Sequence, residues 1–374
     1  MKIGILGGGQ LGRMFLQAAA NYPCSISVLD PAADAPSATM ADHFVQGDFN
    51  DEQTVLDFAR DLDVVGIEIE HVSVAALRKL KDQGKRVIPE PRVLEMIQDK
   101  GTQKQFYADR GIATQDFYLI AGCDELDLER IPLPFVQKAR TGGYDGKGVQ
   151  VLRSEEDLEK LWDIPSVIEA MCPIAKEVAV FVATDGAGDV ICYPVVEMLF
   201  NDALNLVDVV KAPAIIKDHQ RERIMALAED TVLALASPGV FAVEMFIDTE
   251  GEVWVNETAP RVHNSAHLTI EACPSSQFDQ MWRILANQPL GTVQLYRPAA
   301  MVNLIGADGH QGEAVMPHLD MLLGMDEVSV HWYGKSETRP GRKMGHVTVL
   351  AASDEVLMQK VEKIKSYAEV SARG

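Results

Sequence analysis

Residues 240–257 read VFAVEMFIDTEGEVWVNE. Two runs rich in β-branched and aromatic residues flank the turn chemistry of DTEG, and the segment predicts a β-hairpin. With Glu250 and Gly251 as the two central residues, Glu244 and Glu257 become direct cross-strand partners. Side chains so placed have Cβ atoms roughly 4.5–5.5 Å apart, and two bare carboxylates at that separation repel. A cation between them removes the conflict. Hard oxygen ligands favour magnesium, which recruits substrate phosphates to complete its shell, and Asn256 offers a further oxygen. The other reading is a bulge that shifts the register and turns both acids to water.

Upstream lies RTGGYDGKG, residues 140–148, with four glycines and a lysine in nine residues. Glycine-rich backbone can fold over a polyphosphate and present N–H groups while an ammonium neutralises charge. It is not a Walker A loop, because Lys147 is followed by Gly148 rather than Ser or Thr. Its D-G pair is also a hairpin-turn signal between the strands expected at 135–139 and 149–152, and a turn and a lid are compatible.

A second glycine loop opens the chain. Gly7, Gly9 and Gly12 satisfy G-x-G-x-x-G after the strand KIGIL and at the start of a helix, with Asp30 closing the next strand. Taken alone this indicates NAD or FAD, yet the same loop serves as a tight turn or takes other phosphate-bearing ligands in related open sheets. Glu68 and Glu70, on one face at the carboxyl end of VVGIEIE, stand where parallel sheets bind ligands or are simply solvated. The first ninety residues alternate strand and helix, with a capping box expected at Asn50 and Gln53 and a helix over 73–83. Pro89 and Pro91 mark a boundary.

Beyond it the pattern predicts one helix over PRVLEMIQDKGTQKQFYADRG, a helix near 154–162, the strand SVIEAM, strands near 177–183 and 189–196, and a helix over 218–236. AAMVNLIG, VSVHWYG and HVTVLAA read as strands of a last unit closed by the helix DEVLMQKVEKIKSYAEV. The expected fold is α/β and α+β, in three units. An N-terminal open parallel, Rossmann-like sheet spans 1–91, a central unit split near 170 spans 92–295, and a small C-terminal β-rich domain spans 296–374.

Bulk properties narrow the partners. The 374 residues are 47% hydrophobic and 24% charged, an ordinary globular composition, and the formal net charge of −21 repels nucleic acid and anionic lipid. Against that background YGKSETRPGRKMGH, residues 333–346, concentrates Lys335, Arg339, Arg342 and Lys343, which suggests a small anionic ligand or a solvated turn. Five scattered cysteines without a C-x-x-C, and no bilayer-length apolar run, point to reduced thiols in the cytoplasm. His263 and His267 are four apart but lack H-E-x-x-H and an evident third ligand, so zinc is disfavoured.

QDK with Lys100, FVQKA with Lys138, TGGYDGKG, VIEAM, and the pair Glu244 and Asn256-Glu257 together resemble the ATP-grasp ligases. The runs NETAPRVHNSAHLTIEACPSSQF, MVNLIG and YGKSETRPGRKMGHVTVL, with the opening GILGGGQLGRM, are similar within them to the 5-(carboxyamino)imidazole ribonucleotide synthases. The resemblance spans nearly the whole chain.

It implies ATP and magnesium as cofactors and carboxylation of aminoimidazole ribonucleotide with bicarbonate. Lys100 and Lys138 would hold ATP phosphates beneath Gly143, Tyr144, Asp145, Gly146, Lys147, Gly148 and Val149. Glu169 with Ala170, Met171 and Cys172 would meet the adenine, and Glu177 the ribose. Glu244 and Glu257, beside Asn256, would bind the metal. Tyr144, Asp145, Arg261, His263 and Asn264 would surround bicarbonate and the incoming amine. Gly9, Gln10, Leu11, Glu70, Lys335 and Arg342 would hold the ribonucleotide. A homodimer is implied as well. One departure stands out: Glu197-Met198-Leu199-Phe200 replaces a frequent Glu-Asn-x-His. The competing assignments are another ATP-grasp ligase such as a formate-dependent glycinamide ribonucleotide transformylase, an NAD-dependent oxidoreductase, and a silent scaffold.

Overall fold

In the computed structural model, residues 1–143, 148–201 and 206–373 are described. The chain opens with β1 (Lys2–Leu6), α1 (Gln10–Ala19), β2 (Ser25–Asp30), β3 (His43–Gln46), α2 (Glu52–Phe58), β4 (Val64–Ile67), α3 (Val74–Asp82) and β5 (Arg86–Ile88). These strands form an all-parallel sheet in the order β3-β2-β1-β4-β5. β1 and β4 are buried throughout their apolar runs, which is why they read as continuous rather than alternating hydrophobic segments. The helix α2 is capped by Asp51, whose carboxylate accepts the Thr54 N–H, and not by a box at Asn50 and Gln53. Asn50 instead donates its own backbone N–H to Asp48.

Pro91 begins α4 (Pro91–Ile97), a position that needs no N–H. The single helix expected over 91–111 is two, because Asp99 interrupts it and caps α5 (Lys100–Asp109) by accepting the Gly101 and Thr102 N–H groups. Arg140 holds the same carboxylate at 2.6 Å, so the break is fixed from outside as well.

The four strands β6 (Phe117–Ile120), β7 (Phe135–Ala139), β8 (Val149–Leu152) and β9 (Ser166–Ala170) form an antiparallel sheet, ordered β6-β9-β7-β8. The segment near 154–162 is a 3-10 helix over Glu155–Lys160 rather than an α-helix.

A larger sheet begins with β10 (Ile174–Thr184), β11 (Val190–Cys192), β12 (Val196–Asn201) and β13 (Leu206–Ala212). α6 (Asp218–Leu235), β14 (Gly239–Asp248) and β15 (Val253–Ala259) complete its first half, in the order β15-β14-β10-β12-β13. β10 is buried on both faces: Val178, Val180 and Val182 pack towards α6, while Ala179 and Phe181 join the core on the opposite side.

After α7 (Thr269–Ala272) and α8 (Gln277–Leu285) come β16 (Ala299–Gly306), β17 (Gly312–Val315), α9 (Leu319–Leu323), β18 (Val328–Trp332), β19 (Glu337–Thr338), β20 (Lys343–Leu350), α10 (Asp354–Lys365) and β21 (Glu369–Ala372). β13 pairs with β16, so the C-terminal strands extend the central sheet instead of forming a separate one. β3, β17, β19, β21 and α9 carry too little hydrophobic periodicity to be read from the sequence.

Candidate functional site

The hairpin of β14 and β15 places Glu244 opposite Glu257. It does so by a different route from the one the turn chemistry predicts. Asp248 accepts the N–H groups of Glu250 and Glu252 at 2.9 Å each, Gly251 takes a φ of +95°, and the connecting loop is Thr249–Gly251. Next to that loop Ile247 faces Val253, Phe246 faces Trp254 and Met245 faces Val255, a register that would leave Glu244 opposite Asn256. A bulge at Asn256 adds one residue to β15 and restores the pair Glu244 and Glu257. The irregularity that was expected to separate the acids is what aligns them. It also turns two consecutive side chains towards neighbouring lysines: Asn256 Oδ1 accepts from Lys138 Nζ at 2.9 Å and Glu257 Oε2 from Lys100 Nζ at 2.6 Å.

Burial and the adjacent Glu257 raise the Glu244 carboxyl above its ordinary range, whereas Lys100 holds Glu257 below it. Burial beside Glu257 thus favours the neutral form of Glu244, while Lys100 neutralises Glu257. Among the described residues no group of three or more His, Cys, Asp and Glu side chains is arranged to hold a metal alone. Two carboxylates plus an amide oxygen fit a hard divalent cation whose remaining ligands come from elsewhere, as magnesium does with phosphates.

α5 supplies the floor of the site through a polar stripe. Lys100 meets Glu257, Gln103 Nε2 donates to the Thr258 carbonyl at 3.0 Å, Lys104 contacts Glu169, and Tyr107 Oη donates to Thr258 Oγ1 at 2.8 Å. Glu169, 2% exposed at the end of β9, is held by two lysines, Lys104 on Oε1 and Lys138 at 2.6 Å on Oε2. Burial alone would raise its pKa, but the two ammonium groups outweigh that and keep it ionised. Ala170, Met171 and Cys172 follow directly, and burial pushes the Cys172 thiol up to about 11. Glu177 on β10 is raised to about 7 by burial, against the pull of Lys138. Lys104 was missed in the sequence; lysine, glutamine, lysine and tyrosine at i, i+3, i+4 and i+7 were the available signal of a buried polar face.

Gly143, Gly148 and Val149 bracket the second glycine loop, with Gly148 at a φ of +80°. Tyr144, Asp145, Gly146 and Lys147 lie outside the described residues.

The first glycine loop differs from a dinucleotide site. Gly9 and Gly12 donate their N–H groups to Glu68 at 2.8 and 3.0 Å, so a buried carboxylate already occupies the helix N-terminus where a pyrophosphate would sit. A Cβ on Gly9 would come within 2.9 Å of Glu68 Oε1. Asp30 accepts from Gly8 at 2.7 Å on one oxygen and from Ala32 at 2.8 Å on the other, so it is tied to the loop backbone. β4 ends at Ile67, so Glu68 and Glu70 stand just beyond the strand, with Glu68 turned into the glycine loop. Glu70 instead pairs with Arg261 at 2.8 Å, which overcomes the effect of burial and lowers its pKa.

His263 Nε2 stands 3.6 Å from Glu244 Oε1, and burial together with Arg261 lowers its pKa to about 4, so the imidazole is neutral. Asn264 exchanges hydrogen bonds with Asn303. Lys335 Nζ donates to Gln10 Oε1 at 2.8 Å and so joins the basic run to the start of α1. Arg342 donates to the Glu337 carbonyl at 2.7 Å, which shapes the run from within. Leu11 is 8% exposed and packs in the core beside Gln10. Lys343, noted only as part of the basic run, acts electrostatically on both Glu244 and His263 and belongs to the same cleft. Phe200 takes the place of the frequent histidine, 38% exposed on β12.

Three family matches tile the chain: a ribonucleotide synthetase preATP-grasp domain over residues 1–98, an ATP-grasp domain over 105–278, and a phosphoribosylaminoimidazole carboxylase C-terminal domain over 299–360. The N5-carboxyaminoimidazole ribonucleotide synthase of Synechococcus elongatus is 36% identical over 355 residues, covering 93% of this chain and 89% of its own. The chloroplastic phosphoribosylaminoimidazole carboxylase of Vigna aconitifolia is 38% identical over 94% of this chain, which spans only 64% of that longer protein. Among solved structures, the N5-carboxyaminoimidazole ribonucleotide synthetase of Thermotoga maritima superposes with a TM-score of 0.93 at 40% identity, covering 100% of this chain and 99% of its own. An Aspergillus clavatus N5-carboxyaminoimidazole synthase, solved with ADP and 5-aminoimidazole ribonucleotide, gives 0.88 at 31% identity, covering 98% of each chain. With the glycine loop plugged by Glu68 and two carboxylates facing each other under two lysines, the chain belongs to the N5-carboxyaminoimidazole ribonucleotide synthase family of ATP-grasp ligases.

Proposed function

We propose that the protein carboxylates 5-aminoimidazole ribonucleotide with bicarbonate at the expense of ATP, giving 5-(carboxyamino)imidazole ribonucleotide, ADP and phosphate by way of carboxyphosphate, as a step of purine biosynthesis. The observation that carries this reading is the bulged hairpin that sets Glu244, Asn256 and Glu257 against Lys100 and Lys138. Magnesium bound by Glu244 and Glu257 would supply charge neutralisation at the transferring phosphoryl group. With a cation on Glu244 and Glu257, Lys100 would be available to the ATP phosphates.

Bicarbonate is a poor electrophile because its carbon shares negative charge over three oxygens. Lys138 and Arg261 stabilise the charge that develops as the γ-phosphoryl group passes to it. The neutral His263 and Asn264 orient the activated carbon, and Asp145 or the released phosphate accepts the proton of the attacking amine. Gly143 to Val149 cover the nucleotide and exclude water, which would hydrolyse the intermediate. Glu169 with Ala170 to Cys172 receives the adenine and Glu177 the ribose. Gly9, Gln10, Lys335 and Arg342 hold the ribonucleotide, with Glu70 facing its base and Arg261.

In the same proposal the chain divides at 91/92 and 295/296 and assembles as a cytoplasmic homodimer. No helix among the described residues is long and apolar enough to cross a membrane. Phosphate release with ATP, magnesium and bicarbonate tests the reading: it should depend on aminoimidazole ribonucleotide, and turnover with glycinamide ribonucleotide plus formate instead would overturn it.

A further inference from the structure

We infer that Lys104 is a positioning residue for ATP: by neutralising Glu169 it leaves Lys138 as a surplus cation, free to leave that carboxylate for the nucleotide's phosphates. The inference rests on the phosphate-holding role proposed for Lys138. Glu169 is one buried carboxylate facing two ammonium groups, so the trio carries one positive charge more than it needs. A neutral pair costs less to bury than a lone charge, and the excess favours an incoming anion.

The surroundings of the two lysines decide which is the surplus one. Lys104 is 3% exposed and locked from two sides, with Nζ donating to Thr114 Oγ1 at 2.5 Å as well as to Glu169. Thr114 in turn donates to the Val255 carbonyl at 2.7 Å, next to the bulge. Lys138 has 14% of its side chain exposed, and its other partner is the uncharged Asn256. The two lysines use different oxygens of Glu169, so Lys138 can depart without disturbing Lys104. Burial pulls the Lys104 ammonium down to about 8, with Lys138 contributing to the same direction, and departure of Lys138 relieves that second effect.

The contacts close a ring: Lys104 to Glu169 on β9, Glu169 to Lys138 on β7, Lys138 to Asn256 on β15, and back through Val255 and Thr114 to Lys104. The ring ties the four-stranded sheet to the large one across the cleft, so Lys104 acts where the two meet without touching the nucleotide itself.

Steady-state kinetics on the full-length enzyme test this. In Lys104→Met, Glu169 keeps Lys138 as its only counter-ion, and the KM for ATP should rise about tenfold, the scale of one charge-assisted contact, while the KM for aminoimidazole ribonucleotide stays within about twofold. The same substitution is then made in the Glu169→Gln background, where any change in the adenine contact proposed for Glu169 is common to both enzymes. Because Lys104 acts only through the charge of Glu169, Glu169→Gln and Lys104→Met/Glu169→Gln should share one ATP KM within about twofold. A merely structural role would raise the ATP KM in both backgrounds. If Lys104→Met does not fold, the comparison of the two Gln variants stands alone. An unchanged ATP KM in Lys104→Met, or a further large rise between the two Gln variants, would overturn the inference. Lys138→Met is measured in parallel: if it leaves the ATP KM unchanged, the phosphate role of Lys138 fails instead.

Discussion

Glu177 offers a measurement that separates the cost of a nucleotide site from its use. Its carboxyl lies on β10 between Met198 and Phe246 in register, and among the described residues it has no hydrogen-bond or ion-pair partner. Burial raises its pKa to about 7 from an ordinary 4.5, with Lys138 only partly offsetting the effect. For an acid raised in the folded state, the stability contribution is complete below the unfolded pKa and is lost as pH rises through the folded one. A shift of about 2.5 units at 1.36 kcal/mol each amounts to roughly 3 kcal/mol across the window from 4.5 to 7. Glu177→Gln does not titrate, so its stability relative to the parent should climb by about 2 kcal/mol between about pH 5.5 and pH 8. That range stays above the isoelectric point near 4.8, where association would obscure unfolding. Urea denaturation at several pH values reads the difference directly. If Glu177 takes the ribose as proposed, the variant should also bind ATP more weakly at pH 8, because a charged acceptor is gone. A stability difference that does not move with pH would refute the reasoning, and so would a variant that is less stable than the parent at pH 8.

Glu257→Gln should abolish phosphate release while circular dichroism stays that of the parent, since the bulge is held by backbone register; turnover above about a tenth of the parent's argues against the metal pair. Chelation of divalent ions should stop turnover and a return of magnesium should restore it, read by the same phosphate assay. Asp99→Ala should cost about 1–3 kcal/mol in urea unfolding, because it removes both the α5 cap and the Arg140 contact, whereas Asp99→Asn should cost less by retaining an acceptor. Gly9→Ala should lower the melting temperature and raise the KM for aminoimidazole ribonucleotide, because its Cβ would sit 2.9 Å from Glu68 Oε1; a variant with parental values would show that the loop yields freely.

The parallel sheet was legible because β1, β2 and β4 are buried runs broken by helices with clear amphipathic faces, and the family motifs identified the central and C-terminal units. Other features were hidden for specific reasons. Asp99 reads like any acid within a helix; the break rests on its cap of Gly101 and Thr102 and on Arg140, forty-one residues away. The glycine fingerprint read as dinucleotide-like because the plug comes from Glu68, across the sheet, and fills the position a ligand phosphate would take. That β16 continues the central sheet by pairing with β13 was hidden as well, because strand pairing is a matter of backbone geometry that hydropathy does not encode.

At the hairpin, two different turns lead to the same partner for Glu244. A symmetric turn at Glu250 and Gly251 would do so, and so does a three-residue turn with one bulge, but only the second puts Asn256 and Glu257 in reach of the two lysines together. In a regular strand successive side chains alternate between faces, so a perfect hairpin would have sent Asn256 away from the acid pair. The extra residue therefore does two jobs: it corrects the register set by Asp248 at the turn, and it gathers an amide beside a carboxylate so that Lys138 and Lys100 are parked one on each. The two jobs are separable. Without Asn256 a regular ladder running on from Met245 and Val255 would still bring Glu257 opposite Glu244, yet Lys138 would be left with Glu169 as its one partner. Pairing of the acids can thus be reached without the bulge, whereas the link from that pair to the second lysine cannot, and it is this link that ties the two carboxylates to the sheet carrying Lys138.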